Sequence, residues 1–532
     1  MTRTAHRNPN RKADLIITAR RVYTVDQTFS IAEALAVKDG RILAVGNRSD
    51  IEEGFSAPRR LDLGDAFIYP GFIDPHCHFL SYGFVLQRPW LADAASWEEA
   101  VTRMTAAEIP PSGWIQGRGW DHNRWPVKEF PDRNLLDRAF PDHPAIAIRI
   151  DGHAAVANAR ALAAAGLAAG GRVEGGVVAM RNGLPTGLLL DNAVDLVRKA
   201  IPAPSEAEMR QALLKAQASC LSVGLCSISN AGTELREVLA MDRAQKEGAL
   251  AIRIYAMLAP TAENIETLAR RGPLVGDRLT ARSFKLYADG ALGSRGALLL
   301  EDYGDDPGNR GLLTLEEAEL DRICGIARAC GYQMNVHAIG DRAAKIVLDA
   351  YERYLEPGND LRWRIEHAQV LTDEDVERIA FLGVVPSVQT VHALSDKAWT
   401  EDRLGPGRMY RSHRYRDLLE RCGWLANGSD FPIEKVDPLR GFRAAAFRKD
   451  DCREPKFGWM PGQAIGRIEA LKAMTIWAAR ANFEESSRGS LEAGKWADLV
   501  ALDKDLMKDE EDSLWGARVI ATIVGGELLH QN

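Results

Sequence analysis

The sequence predicts an α/β protein built on a (β/α)8 barrel, with a small sheet made from both ends of the chain and an inserted lobe after the first barrel strand. Three observations predict it. Short apolar or β-branched runs alternate with helical patterns through the middle of the chain, and there are eight of them, the number that closes such a barrel. Both ends carry pairs of alternating apolar and polar runs around tight turns, the signature of β-hairpins. The barrel-type runs are evenly spaced except between the first and second, where residues 82–205 intervene, far more than a βα connection needs.

At the start of the chain, ADLIITARRVYTV is followed by ALAVKDGRILAVG (Ala34 to Gly46), which turns at Asp39-Gly40. At the end, GKWADLVALDKD is followed by ARVIATIVGGELL (Ala517 to Leu529), which turns at Gly525-Gly526. Each piece has too few strands to be stable alone, so the two are expected to share one sheet. The eight candidate barrel strands are Ala66 to Asp74, Leu225 to Ser229, Ala251 to Leu258, Arg282 to Ala288, Tyr332 to Ala338, Arg362 to Ala368, Gly383 to Gln389 and Gly423 to Asp430. The long insertion carries GWIQGRGWDHNRW (Gly113 to Trp125), a strand at Ala145 to Ile150, an Ala-rich helix from Ala154 to Ala165 and a glycine-rich hairpin region from Glu174 to Gly187. The expected division is 1–68 with 484–532 as the terminal domain, 69–81 with 206–483 as the barrel, and 82–205 as a lobe on the face where the loops following the strands gather.

Composition narrows the class. Hydrophobic residues at 46% and charged residues at 27% exclude disordered, collagen-like and disulfide-scaffold chains. Lys and Arg total 67 against 74 for Asp and Glu, a net charge of −7, which argues against a dedicated nucleic-acid binder. The seven cysteines form no CxxC pair, so neither a zinc ribbon nor a thioredoxin-like motif is present, and a reducing compartment fits. The basic N-terminus is not followed by an apolar run of signal-peptide length, and no stretch approaches the ~20 apolar residues that span a bilayer, so the expected location is cytoplasmic.

The chemistry concentrates at strand ends. In His76-Cys77-His78 the two imidazoles stand at i and i+2 of an extended chain, point to one side and can reach one ion. Alone, such a pair is a weak signal. His337, His367 and Asp430 end three other candidate strands; singly, each reads as a hydrogen-bonded core histidine or a turn residue. Together, four of the eleven histidines and an aspartate fall where a barrel gathers its C-terminal rim. Lys285 lies within an otherwise apolar strand. If it faces the barrel interior it must be paired, have a depressed pKa or be chemically converted; the plain alternative is a solvent-facing lysine.

The stretches PGFIDPHCHF, GRGWDHNRW, DGHAAVANARAL, FKLYADGALGSRGA, NVHAIGDRA, RIEHAQ, NGSDFP and GSLEAGKWADLVALD, in this order over most of the chain, resemble the amidohydrolase superfamily of metal-dependent hydrolases. Within it they look like the amidohydrolase family 3 branch, which contains the YtcJ-like proteins and N-substituted formamide deformylase. The resemblance implies a (β/α)8 TIM-type barrel with a small β-sandwich domain from both termini. It implies that His76 and His78, with Asp430, bind the more buried metal, that Lys285, carbamylated by carbon dioxide, bridges two metals, and that His337 and His367 bind the second. Zinc is the expected ion, two of them or one.

The implied reaction is hydrolysis of a carbon–nitrogen bond in an amide, formamide or cyclic amide by a metal-activated hydroxide, with Asp430 as general base and then acid. Substrate contacts are expected from Trp120 and Asp121, beside Trp125, and from His153 and Arg295, with Gly290, Gly293 and Gly296 forming a loop that closes over substrate. After the second strand the sequence departs from its relatives with SISNAG, where Asn230 is either a polar contact or a turn residue. Two other readings stand beside this one. A deaminase acting on a heterocyclic amidine carbon is disfavoured by Lys285, and a metal-free regulatory or scaffold homologue by the filled ligand positions. The expected partners are a small-molecule amide-type substrate and a second copy in a homodimer, with no nucleic acid and no membrane.

Overall fold

The structure is a computed structural model that describes the chain apart from residues 1–10, 151–153, 172 and 174–175 and the side chains of residues 123 and 191. The chain divides into two compact units, one formed by residues 1–79 with 217–532 and the other by residues 80–216.

The first unit holds a parallel barrel whose strands we label β1 (Phe72–Cys77), β2 (Leu225–Thr233), β3 (Arg253–Leu258), β4 (Leu279–Tyr287), β5 (Gln333–Ala338), β6 (Arg364–His367), β7 (Val385–Val388) and β8 (Ala426–Asn427). They pair in sequence order from β1 to β8, every pair parallel, with Leu274–Val275 added antiparallel to β4. Helices return the chain between strands, among them Leu235–Lys246, Glu317–Cys330, Asp341–Tyr351 and Asp373–Leu382. Local chemistry sets their ends. Thr372 and Asp375 make a reciprocal capping box at the last of these, and Gly383 closes it in the left-handed conformation.

Near closure comes from hydrogen bonds past the short β8. His78 N–H donates to Phe431 O at 2.8 Å and Asp430 N–H to His76 O at 2.9 Å, which ties the end of β8 to the end of β1. Gly428 is required for that approach, because a Cβ there would stand 2.7 Å from Asp74 Oδ1 and 2.9 Å from His76 N. Thus the eighth strand is regular for only two residues, and the rest of the expected segment is irregular backbone that delivers Asp430 to the rim.

The second sheet of this unit joins both ends of the chain. Glu527–Gln531, Val519–Val524, Leu499–Leu502, Phe67–Pro70, Leu15–Tyr23, Ile31–Lys38 and Arg41–Gly46 lie side by side in that order. The turns read from the sequence at Asp39-Gly40 and Gly525-Gly526 are made with positive φ at all four residues. Its core is Ile17, Val22, Leu35, Ile68, Leu499 and Ile523 with their apolar neighbours. The run Ala66 to Asp74, expected as one strand, is two. Phe67–Pro70 pairs with Leu499–Leu502 in the terminal sheet, and Phe72–Cys77 pairs with β2 in the barrel. The switch occurs at Gly71, where a Cβ would meet Cys226 Sγ at 2.3 Å.

The 80–216 unit has its own sheet, ordered Gly176–Arg181, Leu184–Asp191, Ala154–Ala157, Ala145–Arg149, Ile115–Trp120. The helix expected over Ala154 to Ala165 is half strand. Ala154–Ala157 is paired on both edges, by Ala145–Arg149 and Leu184–Asp191, and the helix begins only at Ala159 after Asn158 caps it by accepting from Ala161 N–H. Alanine's helix propensity is worth a few tenths of a kcal/mol per residue, less than the ladder bonds on two edges provide. Among the described residues no helix is long and apolar enough to cross a membrane.

Candidate metal centre

The strand period places the first two histidines. At the end of β1, His76 and, one residue past the strand, His78 face one side, while Cys77 between them turns away and its thiol donates to Ser229 O at 3.3 Å. Asp430 Oδ1 lies 3.5 Å from His76 Nε2 and 3.2 Å from His78 Nε2. One atom each of His76, His367 and Asp430 lie within 4.8 Å of one another. His337 joins from β5, with its ring centroid 4.5 Å from that of His367, which is 4.9 Å from His76. Lys285 is fully buried in β4, its Nζ 4.6 Å from the centre of the Tyr287 ring.

These side chains fit a cation. Lys285 Nζ, His337 Nε2 and His367 Nδ1 are buried polar atoms with no hydrogen-bond partner among the described residues, and buried polar atoms normally have one. Imidazoles and a carboxylate are the donor types that hold zinc. Electrostatics prepare the donors in metal-binding form. Burial pushes the His337 imidazole down to about 3 and that of His367 well below its usual value, helped by the neighbouring cationic groups, so both rings are neutral and offer lone pairs. Burial alone would raise Asp430, but the adjacent His78, His76 and His392 rings hold its carboxyl down at about 2. Burial lowers the Lys285 ammonium to about 8, against the pull of Glu366 and Asp430.

Two of the donors sit on unusual backbone. His367 and Asp430 have φ of 73° and 60°, in the left-handed region that costs non-glycine residues of order 1–3 kcal/mol. The hydrogen bond from Asp430 N–H to His76 O holds that conformation and aims the carboxylate at the histidines.

Four supporting residues were not singled out from the sequence. Glu366 accepts from Arg364 Nε at 2.7 Å and Ser387 Oγ at 2.6 Å, and its Oε2 is 2.5 Å from His76 Nδ1. Asp74 accepts from His76 N–H at 3.0 Å and from Ser429 Oγ at 2.6 Å, and burial still pushes its carboxyl up to about 7. Asp289 follows β4, accepts from the backbone N–H groups of Leu298, Ile339 and Gly340 at 2.8–3.0 Å, and lies 3.4 Å from His337 Nε2. His392, just beyond β7, places its ring parallel to that of His367 at 5.9 Å with its Nε2 4.0 Å from Asp430 Oδ2. The carboxylates flanking the histidines in FIDPHCH and RIEHAQ were the available signal; nothing local marked His392.

The residues expected at the substrate fare differently. Trp120 is fully buried in the core of the 80–216 unit, stacked on Trp125 at 5.9 Å, with its indole N–H donated to Ala147 O at 2.9 Å. It therefore presents no free face within that unit and serves packing there. Asp121 pairs with Arg149 at 2.7 Å. His153 lies outside the described residues. Arg295, in the first unit, makes a two-pronged contact with Asp305 at 2.8 and 3.1 Å, and Arg403 holds the same carboxylate. Asn230 is tied to Thr233 Oγ1 at 2.8 Å.

Comparison with known proteins bears on the fold and the family. A model of an amidohydrolase family matches residues 59–530. The YtcJ protein of Bacillus subtilis (strain 168) is 32% identical over 96% of this chain and 98% of its own length. N-substituted formamide deformylase of Arthrobacter pascens is 27% identical over 97% and 98%. The solved structure of an uncharacterized metal-dependent hydrolase from Pyrococcus horikoshii OT3 superposes with a TM-score of 0.82, at 29% identity, over 94% of this chain and 99% of that one.

Proposed function

This chain belongs to the amidohydrolase family, and from that premise we propose that it hydrolyses a carbon–nitrogen bond of an amide-type substrate, using divalent metal held by His76, His78, Lys285, His337, His367 and Asp430. The observation that carries the reading is the convergence of imidazole nitrogens on the buried Asp430 Oδ1, 3.5 Å away for His76 and 3.2 Å for the partly exposed His78, at the C-terminal rim of the barrel. Zinc would suit the nitrogen and oxygen donors, and Lys285, if carboxylated on Nζ, would add an anionic oxygen donor for it. Bound divalent metal supplies Lewis acidity and lowers the pKa of a ligated water from ~15.7 towards ~7.

The chain's own groups do the rest. Asp430 is ionised at neutral pH, so its free oxygen takes the proton from the attacking water and returns it to the leaving nitrogen. Glu366 fixes the His76 ring by accepting from Nδ1–H, which leaves Nε2 as the lone-pair atom facing Asp430. His392 Nε2, buried and 4.0 Å from Asp430 Oδ2, is placed to donate to a substrate oxygen at the same rim.

The likeness to N-substituted formamide deformylase makes N-substituted formamides the first substrates to try, followed by N-acyl amino acids, hydantoins and lactams. Zinc-replete protein should release amine and acid from at least one of these classes, and chelation should abolish it. Turnover of esters alone would sink the proposal.

A further inference from the structure

The barrel wall around Tyr415 and Trp459 holds a buried cation that, among the described residues, has no counter-ion. Arg448 ends the helix Pro438–Phe447 in the left-handed conformation (φ 57°), and its side chain is fully buried. Its Nε donates to Trp459 O at 2.8 Å, and the guanidinium lies 5.1 Å from the centre of the Tyr415 ring and 5.3 Å from that of Trp459. Nη1 and Nη2 have no hydrogen-bond partner, and among the described residues no carboxylate pairs with the group. Burial lowers its pKa to about 10, which leaves it charged at neutral pH. A buried, uncompensated charge is among the costliest features a fold can carry.

Two more unsatisfied side chains share this wall. Both amide atoms of Gln389 and both ring nitrogens of His413 are buried without a hydrogen bond. His413 packs on the same two rings as Arg448, 6.0 Å from Tyr415 and 5.4 Å from Trp459, and the Tyr415 hydroxyl donates to Gln389 O at 3.0 Å. Asp396, the carboxylate nearest His413 at 3.5 Å, is engaged by Gln369 Nε2 at 2.6 Å. Among the described residues the guanidinium's one acceptor is the Trp459 carbonyl, so Nη1 and Nη2 are left with unmet N–H donors. Ordered water could fill the hydrogen bonds but not balance the charge.

The cluster also adjoins the candidate metal centre. His392 N–H donates to Gln389 O at 3.0 Å, and His413 N–H donates at 2.7 Å to the carbonyl of Gln369, two residues beyond His367.

We propose that Arg448, Gln389 and His413 form a binding site for a carboxylate-sized monovalent anion beside the metal centre. Arg448 provides the charge and a planar pair of donors matched to two oxygens, and the Gln389 amide and a His413 ring N–H add directional bonds. Two sources share this chemistry: a carboxylate carried by the substrate, which rests on the amide-hydrolysis reading, or a free small anion resident in the wall.

The test uses full-length zinc-loaded protein in two arms. In the first, Tm is followed against sodium acetate at constant ionic strength, with a bulky sulfonate as the balancing anion. Wild type should rise by several degrees and saturate, whereas Arg448→Met should be flat. In the second, an N-formyl amino acid is compared with its C-terminal amide. A substrate carboxylate predicts that Arg448→Met raises KM for the acid at least 30-fold more than for the amide. A resident anion predicts the acetate response with no such discrimination. Absence of both effects would overturn the proposal. Should Arg448→Met fold poorly, Arg448→Lys keeps the charge without the planar fork, and an acetate midpoint identical to wild type would also overturn it. If no amide compound turns over, the catalytic reading fails while the acetate arm still decides the anion site.

Discussion

Glu366 Oε2 lies 2.5 Å from His76 Nδ1, and both side chains are buried. These two residues are 290 positions apart, on β6 and β1. The pair is anchored from the far side by Arg364, which donates to Glu366 Oε1 through Nε and to Pro75 O through Nη2 at 2.9 Å. Arg364 and His76 keep Glu366 ionised, well below its usual range, although burial pulls the other way. Supporting carboxylates of this kind fix a ligand's tautomer, and their loss typically costs 10–100-fold in metal affinity. Glu366→Gln should therefore weaken zinc binding by about that factor in chelator competition, while the far-ultraviolet dichroism stays that of the wild type.

His392 should matter to turnover rather than to metal. It contacts Asp430 and stacks beside His367, but its Nε2 makes no hydrogen bond among the described residues. His392→Ala is expected to lower kcat by about 10–1000-fold, the range for one lost transition-state donor, with zinc content unchanged by elemental analysis. Loss of metal in step with activity would place it among the ligands instead.

Lys285 should carry carbon dioxide. Burial lowers its ammonium to about 8, so the neutral amine that reacts with carbon dioxide becomes abundant as pH rises through that value. Protein refolded with zinc and carbon-13-labelled bicarbonate near pH 8 should show a carbamate resonance, absent in Lys285→Ala. An unmodified lysine in active protein would refute the assignment.

A buried ion pair ties the barrel to the terminal sheet. Arg253 of β3 meets Asp498 through Nε at 2.6 Å and Nη2 at 2.9 Å. Burial alone would raise the Asp498 carboxyl, but Arg253 depresses it below its ordinary value of 3.8. A depressed carboxylate contributes stability above the unfolded pKa and loses it as pH falls through the folded one, so the pair supports the fold at neutral pH and lets go below about pH 4. Arg253→Met should lower urea stability at pH 7 by about 3–5 kcal/mol by taking the directly bonded cation away from buried Asp498. The deficit should shrink as acid protonates Asp498, and adding Asp498→Asn should restore much of it at pH 7. An equal deficit at pH 7 and pH 4 would argue for lost packing instead.

What the sequence determined by itself were the features that follow from local periodicity and turn chemistry. The eight barrel strands, the two terminal hairpins and the projection of His76 and His78 to one side of an extended chain all depend on neighbours a few residues away. The positions of His337, His367, Lys285 and Asp430 at or near strand ends were legible for the same reason. Tertiary structure decided what depends on residues far apart in the chain. It split Phe67–Cys77 between two sheets at Gly71, because Cys226 fills the space a side chain would need. It turned Ala154–Ala157 into strand by offering two edges, buried Trp120 in a core, and set Glu366 against His76. It also brought Gln389, His413 and Arg448 together around Tyr415 and Trp459. Burial and pairing arise only when distant segments meet, so a sequence can mark which residues are able to do chemistry, while packing decides which of them are left facing one another unsatisfied.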